Sequence, residues 1–95
     1  MSEEGEISVR RIYQKAFKEH FRNAILCARL NSLYTQAQMA KQLAMDERSY
    51  SDLERGINAC SALTFALFLI YVCDDPVAFL QGLRLAIESH AESPV

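Results

Sequence analysis

The sequence predicts an all-α fold of about five helices, on three observations. No stretch sustains the alternation of a β-strand, apolar residues recur at helical spacing, and every boundary falls on a residue type that starts or stops a helix. With 95 residues, 51% of them apolar, the chain can bury one modest core without metals or staples. Three glycines, two prolines and no internal repeat leave nothing to divide it. One domain is therefore expected over residues 8–90, between a disordered acidic stretch at 1–7 and a disordered tail at 91–95.

The elements follow in order. From Ser8 to about Ser32 there is no Gly or Pro, and Phe17, Phe21, Ala24, Ile25 and Ala28 recur beneath a charged face. This predicts one long helix or two contiguous ones. Thr35, followed three residues on by Gln38, is a capping-box pattern that opens a second helix running to about Leu43. Ala44 and Met45 make a short turn, and Asp46 can cap a third helix that carries Tyr50 and Leu53 inward and ends at Gly56. Ser61 can cap a fourth to about Cys73. Asp75 before Pro76 opens a fifth, with Pro at the first helical position, fading near Ser89.

The second and third helices are short and joined by a tight turn, so they must pack closely, and the small Ala40 permits the approach. The third then turns Glu47, Arg48, Ser51 and Asp52 outward, a polar ridge of a size that fits the DNA major groove.

Composition narrows the function classes. Cys27, Cys60 and Cys73 lie 33 and 13 residues apart, which fits neither a metal or redox motif nor an even-numbered disulfide framework. They read as buried, reduced thiols. His20 and His90 have no ligand partners at metal spacing, so no metal or cofactor is expected. Ser49, Ser51 and Asp52 have no histidine placed as a base, so no catalysis is expected. The longest apolar run, Ala62 to Cys73 broken by Thr64, has 12 residues, too few for a bilayer core that needs about 20. Acidic, polar Met1 to Glu6 lacks the pattern of an export leader, so a cytoplasmic location is expected.

Net charge is −2, but it is unevenly placed. Residues 1–45 carry seven Lys/Arg against four Glu, a net of +3, and residues 46–95 carry three Arg against eight Asp/Glu, a net of −5. A phosphate-facing surface would draw mainly on the first half. Arg10, Arg11, Lys15, Lys18 and Arg22 read either as a basic stripe touching phosphates or as a solvated helix face.

From Ala28 to Gly56 the sequence runs A-R-L-N-S-L-Y-T-Q-A-Q-M-A-K-Q-L-A-M-D-E-R-S-Y-S-D-L-E-R-G. This stretch resembles the helix-turn-helix family of Cro and the phage repressors, and the resemblance extends from about Phe21 to Cys73. The matching features are Arg29 six residues before Thr35-Gln36, Ala40, Leu43 before the turn, and Leu53-Glu54-Arg55-Gly56 at the close. It implies a five-helix lambda-repressor-like domain with an extended N-terminal helix and its motif at about 35–56. The implied function is sequence-specific binding of double-stranded DNA by a transcriptional regulator, a repressor, in a bacterial or phage-like setting.

By the same resemblance, Asp46, Glu47, Arg48, Ser51 and Asp52 would read bases, Thr35, Gln36, Lys41 and Arg55 would position the protein on phosphates, and Arg29 and Glu54 would form an internal ion pair. Ala44 stands where the family commonly has a turn Gly, and Leu33-Tyr34 where it commonly has Gly-Leu. A left-handed turn at Ala44 would cost about 1–2 kcal/mol.

The fourth helix is apolar all round, so something must cover its far side. Phe65, Phe68, Tyr71, Phe79 and Leu83 are expected to form a homodimer interface; the alternative is that the aromatic residues fill the core against the extra N-terminal helix. A two-fold dimer would read half-sites about one helical turn apart. No membrane or small-molecule partner is expected. The alternative function is a protein-interaction module, antitoxin-like or accessory, in which the acidic third helix meets a basic protein surface.

Overall fold

In a computed structural model, which describes the backbone of residues 3–92 and the side chains of 9–90, the chain is all-helical. It comprises α1 (Glu3–Asn31), α2 (Gln36–Gln42), α3 (Glu47–Glu54), α4 (Ala62–Leu67) continued by a π-helical segment (Phe68–Val72), and α5 (Pro76–Glu92). α1 is one uninterrupted helix of 29 residues. At 1.5 Å per residue it is about 43 Å long, and it sets the 45 Å longest extent of the molecule. Disorder was expected over 1–7, yet the helix begins at Glu3. Once nucleated, a helix gains one hydrogen bond for each further residue it fixes, and no Pro interrupts this stretch. α5 likewise runs past Ser89 to Glu92; the remainder of the expected tail, 93–95, lies outside the described residues.

Each expected cap is present. The Thr35 hydroxyl accepts from the Gln38 amide at 3.1 Å while Gln38 Oε1 accepts from the Thr35 amide at 2.8 Å. Asp46 caps α3, Ser61 caps α4, and Asp75 accepts from the Ala78 amide at the start of α5. Each satisfies an amide that the first turn would leave without a partner.

The helix ends share one motif. α1, α2 and α3 each close with paired backbone bonds around a left-handed residue: Tyr34 to Arg29 and Leu33 to Leu30, Met45 to Ala40 and Ala44 to Lys41, Ile57 to Asp52 and Gly56 to Leu53. These are Schellman caps. The left-handed residues are Leu33 (φ 58°), Ala44 (φ 53°) and Gly56 (φ 74°), so only the last is a glycine. Leu33 is also 89% exposed, and no packing offsets its strain. Ala44→Gly and Leu33→Gly are each expected to stabilise the fold by about 1 kcal/mol, the left-handed penalty less the entropy of a new glycine. Urea denaturation checks this; a loss of stability at both sites would show that these backbones relax without strain.

Gly56 answers the left-handed backbone of its cap; a Cβ there would meet Arg22 Cδ at 3.4 Å, an ordinary contact.

α1 packs against α5 and α3, α2 against α3, and the π segment against α2. The core between them holds Phe21, Ile25, Met39, Ala40, Leu43, Tyr50, Leu53 and Phe68. Ala40 is buried at the α2–α3 approach, as its size predicts. Phe17, Phe21, Phe65, Phe68 and Phe79 form a connected aromatic cluster with centroid separations of 5.1–6.0 Å, in the range where ring pairs attract.

The fourth helix departs from expectation. It does not run as α-helix to Cys73: at Phe68 it widens, and the Cys73 amide bonds to the Phe68 carbonyl at 2.8 Å. The helix turns Phe68 into the core, one turn beyond buried Thr64, and leaves Ile70 and Tyr71 outside. It is therefore not covered on all sides. No described helix is long and apolar enough to cross a membrane.

The expected interface is corrected by the same packing. Phe68 and Leu83 are buried within the chain, and Phe65 and Phe79 pack against its core. The extended α1 supplies the partners that cover them. Of the five residues only Tyr71 is exposed, and Leu63, Ile70, Val77, Leu80 and Leu85 are exposed as well.

Cys27 is exposed rather than buried, because it lies off the Phe21–Ile25 stripe of α1. Cys60 and Cys73 are half-buried, and burial pushes the Cys60 thiol up to about 11, so it stays protonated at neutral pH.

Candidate functional site

The placement of α3 is governed by Glu54, in its last turn. The Glu54 carboxylate accepts from Arg29 Nε at 2.5 Å and Arg29 Nη2 at 3.0 Å, from Gln36 Nε2 at 3.1 Å, and from the Tyr50 hydroxyl. Arg29 also donates to the Tyr34 carbonyl, and Arg22 Nε donates to the Glu54 carbonyl at 2.6 Å. One carboxylate thus joins α1, α2 and α3. The side chains of Arg29 and Glu54 retain 17% and 7% of their exposure. Burial acts to raise the Glu54 pKa, but hydrogen bonds from Arg29, Tyr50 and Gln36 outweigh it and hold the carboxyl below its ordinary value. Burial and the Glu54 carboxylate raise the Tyr50 phenol, which stays a donor. Hydrogen bonding to Glu54 raises Arg29.

Of the sequence-predicted residues, Arg29 and Glu54 are brought together as the resemblance implies. The Tyr50, Gln36 and Arg22 bonds are additional. Tyr50 stands four residues before Glu54, one turn away on the same face, a signal that was readable. The roles of Gln36 and Arg22 depend on how three helices meet and have no local signature.

The outward face of α3 is open. Gln36, Glu47, Arg48, Ser51, Asp52, Arg55 and Ile57 line a shallow groove of about 560 Å³. Glu47, Arg48 and Arg55 are exposed, whereas Ser51 and Asp52 are half-buried. Arg55 Nη1 lies 3.9 Å from Asp52 Oδ1. The formal charges of the groove cancel, Arg48 and Arg55 against Glu47 and Asp52.

Four of the residues named by the resemblance are engaged by other groups or lie off the groove. Asp46 does not line the groove: its carboxylate accepts from the Ser49 amide at 2.9 Å and the Ser49 hydroxyl at 2.6 Å. Those bonds also hold its pKa down, and it acts as a helix cap. The Thr35 hydroxyl is likewise engaged by the α2 capping box. Gln36 does line the groove, but its amide nitrogen is committed to Glu54, so it links the groove to the buried network. Lys41 is exposed on α2 and does not line the groove.

This geometry can present Arg48 and Arg55 to a ligand from a rigid support. The Glu54 network fixes one end of α3, and the Asp46 cap fixes the other. Comparison with known proteins finds no matching family model, no matching curated protein and no matching solved structure.

Proposed function

We propose that the protein is a sequence-specific, double-stranded-DNA-binding transcriptional regulator of the Cro and phage-repressor type, acting as a repressor, with α3 entering the major groove. The observation that carries this reading is the α3 ridge: Arg48 and Arg55 stand exposed on a helix locked to α1 and α2 through Glu54. A short helix presented on such a support matches the way recognition helices reach base edges. Arg48 reads a guanine through its planar fork, and Arg55 sits on the backbone. Gln36 acts through Glu54, holding the helix in register.

The protein binds as a homodimer, with half-sites about one helical turn apart. The exposed apolar residues that α4, the π segment and α5 offer for that interface are Leu63, Ile70, Tyr71, Val77, Leu80 and Leu85, in place of the aromatic set that fills the core.

A binding selection from random duplexes, followed by salt titration, tests the reading. Arg48→Ala is expected to lose about 1–3 kcal/mol on the selected operator and little elsewhere, whereas Arg55→Ala weakens all duplexes and flattens the salt slope by about one. Asp52→Asn is expected to raise non-specific affinity a few-fold, because it removes a carboxylate that offsets Arg55. If the wild-type protein selects no sequence at low salt, the DNA reading fails, and an interaction module using the α3 face takes its place.

A further inference from the structure

The groove before α3 carries no net formal charge, yet a polyanion is held by an excess of cations. Arg55 belongs to a second groove as well, lined by Lys15, Lys18, Glu19, Arg22, Arg55 and Gly56. There four cations face one carboxylate, and Glu19 already lies 3.7 Å from His90 of α5. Among the described residues, no carboxylate is within salt-bridging distance of Lys15, Lys18 or Arg22. Arg22 commits its Nε to the Glu54 carbonyl, which pins the α1 face to the end of α3.

Spacing extends the patch along the helix. Arg11, Lys15, Lys18 and Arg22 are four, three and four residues apart, which places them on one face of α1. The row rises about 16 Å from first to last. Successive phosphates of one strand advance about 3.4 Å along the duplex axis, so such a row spans several of them.

We propose that this face of α1 is a second phosphate-contacting track, continuous with the α3 ridge through Arg55, in which Lys15 and Lys18 neutralise backbone phosphates flanking the major groove that receives α3. It rests on the DNA reading above and supplies the positive charge that the α3 groove lacks. The track is sequence-independent: it sets affinity and salt dependence, whereas Arg48 sets sequence choice.

The test is fluorescence anisotropy of the full chain with a labelled 30-bp duplex over a series of salt concentrations. Lys15→Gln with Lys18→Gln is expected to flatten the slope of log K against log salt by about two, near 0.9 for each phosphate that is no longer neutralised. The loss should be equal on selected and random duplexes. Glu19→Gln is expected to tighten both. Arg84→Gln, an exposed cation paired with Glu88 on α5, is expected to leave the slope unchanged. Tight duplex binding with an unaltered slope in the double lysine variant would overturn the track and leave the α3 reading standing. No duplex binding by the wild-type protein at low salt would overturn both.

Discussion

Glu54→Ala is expected to destabilise the protein by about 3–5 kcal/mol, a large share of the 5–15 kcal/mol typical of a small domain. The substitution leaves the Arg29 guanidinium without its carboxylate in a largely buried position, and it removes the acceptor of the buried Tyr50 hydroxyl and of Gln36. Urea titration should show the loss in the midpoint at an unchanged m-value, with Tm falling by roughly 12 °C or more. Replacing the pair with Arg29→Met and Glu54→Leu is expected to recover only part of it, because the Tyr50 hydroxyl is still orphaned. Adding Tyr50→Phe should recover more.

The same site gives stability an acid limb. The folded-state pKa of Glu54 is below its unfolded value. Its contribution is therefore complete above the ordinary glutamate pKa of about 4.3 and fades as pH falls through the depressed value. Asp46 acts in the same direction. The gap between wild type and Glu54→Ala should narrow below about pH 4. A loss under about 1 kcal/mol at pH 7 would class the pair with ordinary surface bridges and refute its role as an anchor.

What the sequence made legible was set by how locally each feature is determined. Caps are local, so Thr35 with Gln38, Asp46, Ser61 and Asp75-Pro76 marked four helix starts correctly. The α2–α3 approach was legible from Ala40, because two short helices joined by a tight turn can cross closely only where a side chain is small. The Arg29–Glu54 pair, 25 residues apart, came only through the resemblance.

The π turn at Phe68 was hidden because every residue from Phe65 to Cys73 is apolar, and a pattern without contrast has no phase. The two left-handed non-glycine caps came into view only through the resemblance, in which Gly is common at both positions. Leu33 and Ala44 carry no turn signature, and their conformations are imposed by the tertiary arrangement of the helices that follow them. Asp46 carries the local role its position predicts, with its carboxylate bonded to the amide and hydroxyl of Ser49.

Phe68→Ala is expected to cost about 3–5 kcal/mol, and it separates core from interface in the aromatic cluster. Phe68 is 2% exposed and sits edge-on to both Phe21 (5.2 Å) and Phe79 (5.1 Å). Truncation opens a cavity where α1, the π segment and α5 meet, and the rings on either side lose their partners at once. Phe68→Leu retains much of the volume and should cost no more than about 1.5 kcal/mol. Tyr71, 67% exposed, serves as the contrast. Tyr71→Glu should leave monomer stability nearly unchanged while weakening self-association in sedimentation experiments. The two substitutions therefore move different observables, unfolding for Phe68 and assembly for Tyr71. If Phe68→Ala lowered association at constant unfolding free energy, the core assignment would be wrong and the aromatic cluster would return to the interface. A wild-type protein that stays monomeric at tens of micromolar, roughly the range of a specific interface, would remove the dimer and leave the core argument intact.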